Sequence, residues 1–465
     1  MLFLVYSATN LSTIQSNLGE PEYSYFFVLK EYLPLLEKLG EIKIIHEPEK
    51  EVDAIYDACQ QQGKSCIFLS FSPPHKTLLT LRCPTIPVFA WEFDTIPDEE
   101  WDNQPNNNWV MCLNKLGKAI VHSQHTVHTV KKQLGSSFPV ISIPAPIWER
   151  FEGSHYDNSF EPSIDGEFLI KGIVIDSSQH NEKEGPPLIH TGAKVKTTKW
   201  QKYLRSLKKR IDPKYAKRSL ITPSIASTLN KIHLQGIIYT SVFNPCDGRK
   251  NWFDMVTAFC TAFIDTPDAV LVLKFTHHDY QWAFDALRET FRKLRTFKCK
   301  VIAIHGFLND KEYSSLITHS TYVVNTSLSE GQCLPLMEFL SSGKPAISPC
   351  HTAMEDYICK DVAFVINSEP ELCAWPHDTR FHFRTYRHRI SYSSLLEAYK
   401  ESYHVAKHHS MKYKYMSEQC KRKMKSHCST SMTLPTLDTF LNSISVTEKR
   451  DPETCDWYQG NHIRD

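Results

Sequence analysis

Short apolar runs alternate with amphipathic stretches along most of the chain. Met1–Ser7 is continuous and apolar, as a strand buried on both faces is. Tyr23–Leu39 has helical spacing and ends at Gly40. Ile42–Ile45 and Val52–Gln62 repeat the order of strand and helix, with Gly63 closing the helix. Cys66–Ser70, Pro87–Trp91 and Ala119–His122 predict three more strands. A helix then runs to Leu134 and stops at Gly135, and Val140–Ile143 completes the set. Strands alternating with helices predict a parallel sheet covered by helices.

The pattern lapses from about Trp148 to Gln235 and restarts at Gly236. There it predicts strands at Ile237–Ser241, Ala269–Phe275, Lys300–His305, Tyr322–Asn325 and Val362–Ile366. Helices are predicted at Trp252–Phe263, Tyr280–Leu294, Asp310–Ser320, Ser393–Ala406 and Tyr413–Lys425, with a last helical turn at Asp438–Ile444. The expected organisation is an α/β domain over 1–150 and a linker with a basic insertion over 151–235. A second α/β domain follows over 236–390, then helices over 391–445 that pack back on the first domain, and a polar tail over 446–465. A cleft between two such domains is where a ligand sits.

At 465 residues, 41% of them hydrophobic, the chain is long enough for two cores. Lys and Arg number 53 against 52 Asp and Glu, for a net charge of +1. That balance argues against general nucleic-acid binding, which needs a basic excess. The basic run Lys194–Lys217 reads either as a solvated helix face or as a surface for an anionic acceptor or a bilayer. The 14 cysteines are scattered and form no C-x-x-C pair, so reduced thiols in a cytoplasmic protein are expected. No apolar stretch approaches the ~20 residues of a membrane span, which leaves peripheral contact through Lys194–Lys217 as the membrane option.

Candidate chemistry gathers where strands end. Ser327–Ser348 reads as loop, helix and strand, with Pro335 suited to the first helical position and Gly343 to the helix end. It carries Glu330 in the loop and Glu338 in the first helical turn. These are either a solvated charge and a complement to the helix dipole, or two ligand-binding carboxylates. Arg249 and Lys250 precede a helix in NPCDGRKNW, which reads either as an anion site or as a surface turn with two exposed cations. Lys274 continues a buried strand and so is paired or ligand-facing. Glu92, with Asp94 behind it, lies just past an apolar strand of the first domain, and reads either as a general base or acceptor-binding carboxylate or as a structural loop carboxylate. His122, His125 and His128 are spaced to spread around a helix and its start, which disfavours a metal site; Ser123 and Thr126 suit capping. Trp375–Arg389, aromatic and basic, reads as an interdomain brace.

The stretch EGQCLPLME resembles the E-x7-E motif of retaining glycosyltransferases with the GT-B fold, the glycogen-synthase-like group. The order DGRKNW, VLK, HGF and SEG…LPLME…SGKP is similar to that group's donor domain. AWEFDTIPDEEW, VHSQHTVHTVKKQLG and VISIPAPI resemble the end of its bacterial acceptor domains. The resemblance implies two Rossmann-like domains facing across a cleft, and a sugar transferred from a nucleotide-sugar donor to a glycan, lipid-linked or protein acceptor. It implies that Glu338 binds ribose hydroxyls, Glu330 the transferred sugar, and Arg249 and Lys250 the diphosphate. Gly331, Gln332, Cys333 and Leu334 would border the donor. The chain contains no D-x-D motif, and cations would do a metal's work, with no further cofactor. Gln332-Cys333 replaces the usual Phe-Gly, so the donor sugar does not carry over. A sugar-nucleotide epimerase on the same fold and a non-catalytic nucleotide-sugar-binding module are the alternative readings.

Overall fold

The computed structural model describes residues 1–10, 13, 14, 19, 23–151, 162–179, 229–278 and 280–443. The basic run Lys194–Lys217 and the tail 446–465 lie outside the described residues.

The first domain is built on β1 (Leu2–Ser7), β2 (Glu41–Ile44), β3 (Cys66–Phe71), β4 (Thr85–Phe89), β5 (Ala119–Val121) and β6 (Val140–Ser142). They form one sheet in the order β2-β1-β3-β4-β5-β6, and every pairing is parallel. Its helices are α1 (Tyr23–Glu37), α2 (Pro48–Gln61), α3 (Trp109–Leu116), α4 (Gln124–Leu134) and the single turn α5 (Trp148–Phe151). Asn108 and Ser123 cap α3 and α4 by accepting from Met111 and Thr126 N–H, each satisfying one orphan donor.

The second domain begins earlier than its hydrophobic pattern suggests. β7 (Ile164–Lys171) and β8 (Ile173–Asp176), inside the expected linker, join its sheet as antiparallel members beside β9 (Leu229–Phe243) and β11 (Lys300–His305). β7 alternates between covered and open side chains. Such a strand reads as polar, which is why a search for apolar runs passes over it. With β10 (Ala269–Phe275), β12 (Tyr322–Val324), β13 (Ala346–Pro349) and β14 (Ala363–Ile366), the sheet order is β14-β13-β12-β9-β10-β11-β8. Its helices are α6 (Trp252–Ala262), α7 (Tyr280–Lys293), α8 (Asp310–Thr318) and α9 (Leu334–Ser341).

A two-stranded hairpin, β15 (Ser368–Ala374) and β16 (Phe383–Ile390), then reaches the first domain. Trp375 Nε1 donates to the Thr95 carbonyl at 3.2 Å, and Arg380 and Arg384 both pair with Glu99. The brace expected at Trp375–Arg389 is therefore present. α10 (Tyr392–His408), α11 (Ser410–Cys428) and α12 (Thr430–Asn442) end the described chain. Leu437, Phe440 and Leu441 of α12 share a core with Trp148 and Phe151 of α5.

In both sheets the strand order reverses, between β1 and β3 in the first and between β12 and β9 in the second. Loops diverge at such a point and leave a crevice at the carboxyl ends of the strands. The two crevices face each other. Gly19, after β1, abuts His277, after β10, and Gly331, after β12, abuts Ala90 and Trp91, after β4.

Candidate active site

The cleft between the domains has a volume of about 2140 Å³. Glu92, Arg249, Lys250, Lys274, Glu330, Gly331, Gln332, Cys333, Leu334 and Glu338 all line it.

Its centre lies at the switch point of the second sheet. The loop after β9 carries Arg249 and Lys250 in a short 3-10 turn whose cap, Asp247, accepts from Arg249 N–H. The loop after β12 carries Glu330, which is only 4% exposed. Lys250 Nζ and Ser327 Oγ both donate to Glu330 Oε1 at 2.5 Å. Arg249 Nη1 reaches Oε2 at 3.3 Å and the Ser329 carbonyl at 2.8 Å. Burial by itself raises the Glu330 pKa, but Lys250, Arg249 and the Ser327 hydroxyl outweigh it and hold the group at about 2. Thr352 and Ala353 anchor this loop. Glu330 N–H donates to Thr352 Oγ1 at 3.0 Å, and Ala353 N–H donates to the Glu330 carbonyl at 3.1 Å.

Arg249 is shared. Its Nε lies 3.0 Å from Asp247 and 3.3 Å from Glu92 of the first domain. Burial disfavours the guanidinium's charge, yet Asp247, Glu92 and Glu330 together raise its pKa. For Glu92 burial dominates and raises the pKa, with Arg249 pulling the other way. Asp94 turns away to His125 at 3.6 Å.

Glu338 stands apart from this cluster. It is the fifth residue of α9, beyond the first turn, so complementing the dipole does not account for it. Arg150 Nη2 of α5 donates to its Oε1, and the Tyr313 hydroxyl of α8 donates to Oε2 at 2.6 Å. Arg150 also pairs with Glu31 of α1 at 2.6 Å. Two carboxylates, one from each domain, thus share one guanidinium.

The loop joining the two glutamates explains its own sequence. Cys333 sits at φ 63°, ψ 65°, the left-handed region where glycine is at ease, so the backbone keeps a glycine-type conformation despite the side chain. Gln332 is 5% exposed; its carbonyl accepts from the Tyr357 hydroxyl at 2.8 Å, while neither atom of its amide has a hydrogen-bond partner among the described residues. Leu334 opens α9 and presents the positive end of that helix to the cleft.

On the first domain's side, His75, Trp109 and His377 stack with interplanar angles of 15–18°. Burial lowers the pKa of His75 to about 3 and of His377 to about 4. Sequence reading missed this group, and it missed Arg150, Tyr313 and Ser327; the apolar pattern carries no sign of any of them. His122 bonds to Ile143 O at 3.0 Å in the core, and no metal-grade cluster of His, Cys, Asp and Glu occurs among the described residues.

No family model matches the chain, and no curated protein matches its sequence. Solved structures do match. A glycosyltransferase from Rickettsia africae ESF-5 aligns at TM-score 0.52 and 10% identity, over 96% of this chain and 99% of that one. Sucrose-phosphate synthase from Thermosynechococcus elongatus gives TM-score 0.52 and 10% identity, over 95% and 98%. Against the pneumococcal O-GlcNAc transferase GtfA in complex with UDP and GlcNAc, the chain spans 60% of that protein's length, at 13% identity and TM-score 0.44. At such identities the likeness establishes architecture. The chain has the GT-B fold, with two Rossmann-like domains facing across a cleft.

Proposed function

We propose that this chain is a glycosyltransferase that moves a sugar from a nucleotide-sugar donor to a hydroxyl of a glycan, lipid-linked or protein acceptor, with retention of configuration. One observation carries the reading. Glu330, Arg249 and Lys250 form a single hydrogen-bonded cluster at the switch point of the second sheet, faced at 3.3 Å by Glu92 of the first domain.

The chemistry follows from these groups. The bond from the sugar's anomeric carbon to the diphosphate breaks, and negative charge grows on the leaving oxygen. Arg249, Lys250 and the N-terminus of α9 neutralise that charge without reorganising. Positive charge grows on the sugar, and Glu330, held ionised, stabilises it and takes its hydroxyls. The acceptor oxygen forms the new bond and gives its proton to Glu92, whose raised pKa suits it to receive one. Glu338 takes the ribose hydroxyls on lone pairs left over from Arg150 and Tyr313. Gly331, Gln332, Cys333 and Leu334 border the sugar and diphosphate. Among the described residues no helix is long and apolar enough to cross a membrane.

The test is release of nucleoside diphosphate from a panel of nucleotide sugars, with and without added acceptors, and anomeric analysis of the product. Acceptor-dependent release supports transfer. Conversion of the donor sugar with no acceptor present identifies an epimerase, and donor binding with neither outcome identifies a binding module.

A further inference from the structure

Lys274 is the penultimate residue of β10. Val270 and Val272 of that strand lie in a core with Ile238, Ile302 and Ile304. Alternation along the strand puts Lys274 on the same face, between its register partners Val242 and Ile304. Its aliphatic stem thus extends an apolar row, and its ammonium emerges at the sheet's carboxyl edge, where Val242 and Leu308 also line the cleft.

The residue is 3% exposed. Its Nζ donates to the Phe275 carbonyl at 2.8 Å, and none of the ion pairs among the described residues includes it. An ammonium offers three donors and no acceptor. A buried cation without a counter-charge is costly, and burial lowers the Lys274 pKa to about 7. Either protonation state keeps N–H donors to spare.

Position selects which part of a donor it meets. The cluster for the sugar and diphosphate lies at the β12–β9 switch point. Glu338 and Tyr313, on α9 and α8, mark the ribose. Lys274 lies one strand beyond β9, and Thr276, Gly306 and Leu308 border the same end of the cleft. A nucleotide running outward from the switch point brings its base there.

We propose that Lys274 reads the donor's nucleobase by donating to a ring carbonyl oxygen, so that the site favours a uracil or guanine nucleotide over an adenine one. Adenine has no carbonyl, and at the matching edge it presents an amino group. The proposal rests on the nucleotide-sugar reading above and adds the class of base.

Calorimetric titration of the full chain with UDP, GDP, ADP and inorganic pyrophosphate tests it, in the wild type and in Lys274→Met, with thermal melting to check folding. The wild type is expected to bind UDP or GDP at least about tenfold more tightly than ADP, the scale of one hydrogen bond to a charged donor. The variant is expected to lose that preference while binding pyrophosphate as the wild type does. Comparing UDP with GDP decides between the two carbonyl bases. A wild-type preference for ADP, or a preference unchanged in Lys274→Met, overturns the role of Lys274 and leaves the donor reading intact. Failure of the wild type to bind any nucleotide overturns both.

Discussion

Glu92 and Arg249 meet at 3.3 Å across the cleft, one from the carboxyl edge of each sheet. The same guanidinium contacts Glu330. Groups proposed for donor and acceptor are therefore coupled before any ligand arrives, and separating the domains breaks an ion pair at the centre of the site.

Glu330 and Glu338 are expected to fail differently. Glu330→Gln keeps the shape but removes the charge that faces the sugar, so kcat falls by about 10²–10³-fold with little change in donor affinity. Glu338→Ala weakens donor binding instead. Kinetics together with nucleotide calorimetry separate the two; equal losses in both quantities from both variants would refute the division of roles. The Glu330 carboxylate also makes stability depend on acid. Its folded pKa of about 2 lies below the unfolded value of about 4.3. Its contribution is complete above pH 4.3 and disappears as pH falls towards 2. It is on the order of 3 kcal/mol, and Glu330→Gln should flatten that part of the urea-denaturation profile.

Arg150 holds Glu31 and Glu338 together at the crossover between domains. Burial raises the pKa of Glu31, Arg150 lowers it, and Glu338 raises it again. Arg150→Met leaves two part-buried carboxylates facing each other. The expected loss stays below the ~3–5 kcal/mol of a fully buried broken pair, because the Arg150 side chain is 28% exposed. Adding Glu31→Gln should restore part of it. A double variant no more stable than the single one by urea denaturation removes like-charge repulsion as the cause.

Much of this was legible in the sequence, for a physical reason. Central parallel strands are buried on both faces, so β1, β3 and β10 are near-continuous apolar runs, β10 broken only by Lys274, and the pattern exposes them. Arg249, Lys250 and Glu330 stand in the loops that follow such runs, which placed them at the carboxyl edge of the sheet. The partner of Glu338 was not legible. Arg150 lies 188 positions away and meets it only because two domains pack. β7 alternates, β8 is only four residues long and half-buried throughout, and β16 is crowded with charge, so none of them announces itself as a strand. The role of Gly331 was only half legible: the motif marks it as donor-facing, while the fold shows that it is also a point where the domains touch.

Gly331→Ala tests that contact. A Cβ there would lie 2.9 Å from Ala90 Cβ and 3.0 Å from Trp91 N, so one domain must shift against the other. Secondary structure should be unchanged by circular dichroism. Displacement of the reacting groups should lower kcat/KM by up to about 10²-fold. Wild-type kinetics in Gly331→Ala would mean that the loop relaxes without moving either domain.

The hairpin offers the last test, because it grips both domains. His388 N–H donates to the Leu328 carbonyl at 2.7 Å, two residues before Glu330. At its other end the buried Trp375 reaches Thr95 of the first domain and stacks on Trp101 at 6.1 Å. Removing the indole empties a core site and releases the brace together. Trp375→Ala should therefore cost ~3–5 kcal/mol and raise the radius of gyration in solution scattering as the domains part. Arg384→Ala is the control, since it breaks an exposed pair with Glu99 worth no more than ~1 kcal/mol. If the brace sets the catalytic geometry, kcat falls in Trp375→Ala and not in Arg384→Ala. Equal effects from the two variants, or a compact and fully active Trp375→Ala, would show that the cleft holds its shape without the hairpin.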